Sequence, residues 1–132
     1  MSDLSADEKL LFDLVNQERE KAGLPAFFLD MRLVDLARKK SEDMFINNYF
    51  NHRSPVYGLP LDMLRKAGVT ARAMGAENIA KAATTRRAHE MIMDSGDHRP
   101  NVLNTLHDSI GVGVCKTRYG VVVTQLFIGK SY

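Results

Sequence analysis

Four histidines are available for chemistry in this chain, at positions 52, 89, 98 and 107. His52 and His98 stand out because each sits where an element ends, His52 beside Ser54-Pro55 and His98 beside Gly96-Asp97. Loops carried on rigid elements are where sites usually form. A neutral imidazole is a common metal ligand and a proton carrier near neutral pH. Neither histidine has another at the short spacing of a local zinc motif, so only the fold can bring the two together. Glu77 is the third candidate. It lies in the apolar frame Met74-Gly75-Ala76-Glu77-Asn78-Ile79-Ala80. A carboxylate there either alternates outward from a strand or is held by donors, because a buried unpaired charge is costly. Ser54, Ser95 and Cys115 are formal candidates for a nucleophile. No Gly-x-Ser-x-Gly elbow is present, and Cys115 falls in a valine-rich alternation that suits a structural thiol. Gly111 and Gly113 form a lone Gly-x-Gly with no helix after it, so a phosphate loop is not supported.

Capping residues and periodicity indicate the elements that must position these groups. Ser5-Ala6-Asp7-Glu8 has capping-box spacing and opens a helix over 6–22, which Gly23 and Pro25 end. Asp30 opens a second helix ending near Asn47 or Asn48. Its Leu33, Leu36, Ala37, Met44 and Phe45 make the apolar face, while Arg32, Lys39, Lys40 and Glu42 take other faces. The stretch from Tyr49 to Pro60 is a loop, and it carries His52. A short helix over 61–67 closes at Gly68, and another over 85–94 places Ala88, Met91, Ile92 and Ser95 at helical spacing. Most methionines, Met91 among them, read as core filling, and Arg86-Arg87 as a solvated helix face. Beyond the Pro100 turn the period becomes two. Ile110, Val112 and Val114 alternate with Gly111, Gly113 and Cys115, and a β-branched run from Val121 to Ile128 follows Tyr119-Gly120, predicting a hairpin. Residues 76–80 supply a further strand. The glycines at 111 and 113 share one sheet face, where the missing side chains let a helix approach closely.

At 132 residues, with 45% hydrophobic and 26% charged side chains, the chain has globular composition and the size of one domain, spanning 1–132. Helices first and a hairpin last predict an α+β fold, with helices covering a small, mainly antiparallel sheet. One cysteine excludes an internal disulfide. Eighteen basic against sixteen acidic residues leave a formal charge of +2, too little for the concentrated field of a nucleic-acid surface. No apolar run reaches the roughly 20 residues of a membrane span, and Met1 to Glu8 is acidic and polar where a signal peptide would be basic and then apolar.

Seven segments in a fixed order resemble the CAP superfamily, named for cysteine-rich secretory proteins, antigen 5 and pathogenesis-related 1, and its bacterial branch in particular. They are Leu14-Val15-Asn16-Gln17-Glu18-Arg19 with Gly23-Leu24-Pro25; Leu33 to Met44; His52-Arg53-Ser54-Pro55; Ala76-Glu77-Asn78-Ile79-Ala80; Ser95 through Leu103; Ile110-Gly111-Val112-Gly113; and Thr124-Gln125-Leu126-Phe127. The resemblance implies a three-layer α-β-α sandwich around a cavity lined by His52, Glu77 and His98. Ser95 stands where many eukaryotic relatives carry a second cavity glutamate, and Ile92 where the bacterial pattern has tryptophan. The disulfides of the eukaryotic relatives are absent, which favours the bacterial branch. The resemblance implies an extracellular or cell-envelope place and a binding module for a peptide, glycan or lipid. Its cavity would take zinc or another divalent cation through His52 and His98, with Glu77 as ligand or orienting group. A metal-dependent hydrolase using the same cavity and a purely structural network remain the alternatives. Without metal, no serine or cysteine has a partner for general peptidase activity.

Overall fold

The computed structural model describes residues 4–130. The two extremities of the 1–132 domain expectation, including the start of the acidic segment at Met1, lie outside the described residues. In chain order the elements are α1 (Ala6–Lys21), β1 (Phe28–Leu29), α2 (Met31–Ile46), α3 (Pro60–Lys66), β2 (Ala73–Ala82), α4 (Thr85–Asp94), α5 (Arg99–Leu103), β3 (Ser109–Thr117) and β4 (Gly120–Gly129). The four strands form one sheet in the order β1-β3-β4-β2. β3 and β4 make the terminal hairpin, β2 joins β4 antiparallel, and β1 runs parallel to β3.

Helices cover both faces, which produces the three-layer sandwich. On one face Leu33 and Ala37 of α2, with Met63 and Leu64 of α3, pack against Leu126 and Ile128. On the other, Leu11 and Val15 of α1 and Ala88 and Ile92 of α4 pack against Val112, Val123 and Phe127. The strand period of two sends alternate residues of β4 into the two cores. Gly111 and Gly113 lie directly beneath α2, as their shared face predicts.

Four details differ from the sequence expectation. β1 is too short to show an alternation. α5 is hidden in the sequence because Pro100 reads as a turn, although proline is well tolerated in a first helical turn. Phe45 and Met91 are about half exposed instead of core-filling. Lys40, expected on a polar face, is fully buried. Its position follows Leu33 and Ala37 and precedes Met44 at three- and four-residue spacing, so α2's inward stripe runs through it.

Glu8 shows how much one capping residue can connect. Its carboxylate accepts from the Ser5 amide, closing the capping box, and also from the Arg38 guanidinium at 2.7 Å and the Val114 amide of β3 at 3.1 Å. Burial raises the Glu8 carboxyl, but the Arg38, Ser5 and Val114 hydrogen bonds outweigh it and hold the group below 4.5. A carboxyl depressed in the folded state binds its proton more readily in the unfolded one. Its contribution is therefore complete above about pH 4.5 and is lost as the pH falls through the lower folded value. Glu8→Gln should flatten the fall of thermal stability between pH 5 and 3, as measured by melting at stepped pH. A melting profile parallel to wild type would contradict this assignment.

Candidate functional site: a histidine pair at the sheet edge

β2 is an edge strand, and its residues 77 and 78 address opposite faces. Glu77, 5% exposed, places Oε1 2.7 Å from His52 Nδ1, while its Oε2 is buried with no hydrogen-bond partner. Asn78, fully buried, works on the other side. Its Nδ2 donates to the His98 carbonyl at 3.0 Å and to Gln125 Oε1 at 3.0 Å, and its Oδ1 accepts from Asn101. Adjacent residues of one strand thus hold one ring and the backbone of the other histidine. The two imidazoles stack at the edge with centroids 6.5 Å apart and planes 29° apart.

His52 reaches this place because α2 grips its loop. The buried Lys40 ammonium donates to the His52 carbonyl at 2.7 Å. Burial lowers the Lys40 pKa, and the negative charges of Glu77 and Asp43 oppose that shift. One turn further along, Asp43 accepts from Ser54 Oγ, from the Tyr49 hydroxyl and from Asn47. Burial raises the Tyr49 phenol to about 12, with the hydrogen bond to Asp43 adding to the effect. Ser54 Oγ also accepts the Val56 and Tyr57 amides. The Ser54 hydroxyl is therefore spent on holding the loop.

His98 caps the start of α5, and its Nδ1 lies 2.7 Å from Ser95 Oγ. Burial and the facing His52 lower its pKa, with Asp97 opposing them. Among the described residues neither Nε2 has a protein partner. His52 Nδ1, donating to the Glu77 carboxylate, leaves its Nε2 a lone pair for a ligand, and His98 does the same in the tautomer whose Nδ1 donates to Ser95 Oγ instead of accepting its hydroxyl. The other histidines lie elsewhere. His89 is buried between α1 and α4, with Nε2 2.9 Å from Glu18, and His107 stacks on Phe127 with Nδ1 against the Asn101 carbonyl. Burial, with Glu42 nearby, raises the Cys115 thiol pKa.

Lys40 and Asp43 are the site residues that sequence reasoning missed. The available signal was helical spacing, which puts Lys40 among apolar positions. Among the described residues no group of three His, Cys, Asp or Glu is arranged to hold a metal ion. The site offers two imidazoles, with a carboxylate engaged behind one of them.

Residues 12–127 match the sequence profile of the CAP family, the cysteine-rich secretory protein family. The chain is 44% identical over 130 residues to the uncharacterized protein YkwD of Bacillus subtilis (strain 168), covering 98% of this chain and 49% of YkwD. A 1.5 Å crystal structure of an extracellular protein with an SCP domain from Bacillus anthracis str. Ames superposes with TM-score 0.85 and 32% identity, covering 98% of this chain and 45% of that one. An outer surface protein of Borrelia burgdorferi shares the fold, with TM-score 0.82 and 22% identity over 98% of this chain and 97% of its own. The chain therefore spans about half the length of YkwD and of the B. anthracis protein.

Proposed function

Since this chain belongs to the CAP family of cysteine-rich secretory proteins, we propose that it is an extracellular or cell-envelope binding module. In this reading the sheet-edge histidines take a divalent cation such as zinc, beside a groove that receives a peptide, glycan or lipid. The placement rests on the extracellular B. anthracis relative, and among the described residues no helix is long and apolar enough to cross a membrane. The binding role rests on one observation: both Nδ1 atoms are engaged, by Glu77 and Ser95, while among the described residues neither Nε2 atom has a partner.

Two imidazoles on one tetrahedral zinc, with Zn–N of about 2.0 Å, bring their ring centroids to roughly 5 Å. The 6.5 Å separation is wider, so a cation shared by both rings requires His52, whose side chain is 48% exposed, to move toward His98. With that movement the two imidazoles are donors suited to a cation such as zinc. Glu77 acts behind His52, fixing its tautomer and raising its basicity, as carboxylates behind metal-bound histidines do. Lys40 offsets the buried carboxylate's charge and anchors the loop. A bound ion would supply Lewis acidity toward a ligand oxygen.

Zinc titration by calorimetry at pH 7.5 should show binding that His52→Ala and His98→Ala abolish. Glu77→Gln should weaken it about tenfold by removing the charge behind the ring. Protons compete for the same nitrogens, so affinity should fall between roughly pH 7.5 and 5.5. At one hundred times the dissociation constant, zinc should stabilise the fold by about 2.7 kcal/mol, visible as a raised melting temperature. Wild type without zinc affinity, or both alanine variants binding like wild type, would leave the pair a structural network only.

A further inference from the structure

The two edges of the sheet are finished differently. At the β1 side, β1 is only two residues long, and beyond it the outward amide of Val114 is taken by Glu8. At the other side β2 runs for ten residues with no proline, and its outer edge pairs with nothing among the described residues. The backbone groups that face outward follow from the ladder. The Ile110 carbonyl bonds Asp30, and the Val114 amide bonds Glu8, so the even-numbered residues of β3 turn away from β4. Alternation then turns Gln125 and Val123 toward β2, where they pair with Asn78 and Ala80. The N–H and C=O groups of Glu77, Ile79 and Lys81 consequently point away from the sheet. No hydrogen bond within the described residues reaches them.

Along the Ile79–Lys81 half of this edge the surface opens into two clefts of about 430 Å³ each. One is bounded by Phe50, Met91 and Ile92 and reaches Ser95 and His98. The other is bounded by Met44, Phe45 and Tyr119. Lys81 lines both. Phe45, Phe50, Met91 and Tyr119 are between 41% and 82% exposed, although they are apolar or aromatic. Among them are the two residues that periodicity assigned to the core.

We infer that this edge binds an extended peptide, which adds a strand to β2 by pairing with the outward N–H and C=O groups of Ile79 and Lys81 and seats alternate apolar side chains in the two clefts. A free strand edge presents a row of donors and acceptors that matches an extended backbone, and its period of two sends successive side chains to opposite faces. A glycan or a lipid tail would fill a cleft but has no alternating amide row to satisfy those groups. The peptide would run toward the His52–His98 pair, since the first cleft ends at Ser95 and His98. Lys81, the charged side chain of this half, is the usual device that keeps such an edge from pairing with copies of itself.

The inference rests on the binding-module reading and names its partner. Its test contains no metal, so failure of the zinc titration and failure of the peptide titration are separate results. The probe is a capped six-residue peptide with two adjacent leucines at its centre, one for each face, flanked by threonines, titrated to millimolar concentration into the folded chain. The readout is residue-resolved amide hydrogen exchange. The Ile79 and Lys81 amides should exchange fast in the free protein and slow at least about tenfold with peptide, while the Asn78 and Ala80 amides, already in the ladder, should change little. The same peptide methylated on its backbone nitrogens keeps its side chains but cannot donate, and it should give no protection. Three results would overturn the inference: no protection at Ile79 and Lys81, equal protection by the methylated peptide, or protection confined to another part of the protein.

Discussion

Gly113→Val is expected to destabilise the protein by about 3 kcal/mol or more, beyond the usual range for added core volume. An added Cβ at Gly113 would lie 2.3 Å from the Ala37 carbonyl carbon and 2.3 Å from the Arg38 nitrogen. These are backbone atoms of α2, so no side-chain rotation can relieve the overlap. Gly111 is in the same position, 2.2 Å from the Leu33 carbonyl carbon. The whole helix would have to rise from the sheet, separating Leu33 and Ala37 from the core they share with Leu126 and Ile128. It would also carry Lys40 and Asp43 away from the loop that holds His52. Even alanine at either glycine should lower the denaturation midpoint strongly. A domain of this size has only about 5–15 kcal/mol in reserve, so the valine variant should be near the edge of folding at about 37 °C. A wild-type urea midpoint for Gly113→Val would show that α2 does not sit against β3 as described.

Arg19→Ala should have an effect of similar size, about 3–5 kcal/mol, for a different reason. The guanidinium is 2% exposed and donates to four backbone carbonyls, those of Pro25, Val102, Asn104 and His107. It also lies over the Phe27 ring at 4.0 Å. One α1 residue thereby fixes the turn after its own helix and the whole segment from α5 to the start of β3. Truncation would leave those acceptors buried without donors and open a cavity beside Phe27. Arg19→Lys keeps the charge but presents three donors from a single point instead of a planar fork, so it should recover only part of the loss. Guanidinium chloride unfolding of the three proteins measures the order. Equal stability of wild type and Arg19→Ala would mean that these carbonyls find water instead.

Both cases lie in segments that the family resemblance singles out, and in both the chemical reason appears only in three dimensions. Local signals are legible where neighbours in sequence are neighbours in space. The Ser5–Glu8 capping box, the Asp30 cap, the hairpin alternation and the paired glycines are set by interactions spanning a few residues, and each occurs where those signals place it. Lys40 is misplaced when residue type is allowed to override helical spacing. Its burial depends on the His52 carbonyl, Glu77 and Asp43, two of which come from outside its helix. Met91 and Phe45 are misplaced for the opposite reason: spacing puts them near an apolar face, but whether that face is covered depends on where the sheet stops.

From the residues alone follow all the elements except β1 and α5, the α+β class, the order of segments that identifies the family, and the residue types able to bind a cation. Glu77 is also marked as anomalous there, since a carboxylate in an apolar strand must either face outward or be held by donors. What holds it depends on the assembled fold. His52, Glu77 and His98 come from a loop, an edge strand and a helix cap, and no local periodicity links them. Topology places β2 at the sheet edge, so that Glu77 and Asn78 project to opposite faces and each secures one histidine. The same topology leaves the outward backbone of Ile79 and Lys81 unpaired. Hydrogen bonding within helices and hairpins is local and can be read from spacing, whereas which strand ends a sheet depends on how distant segments share a common core.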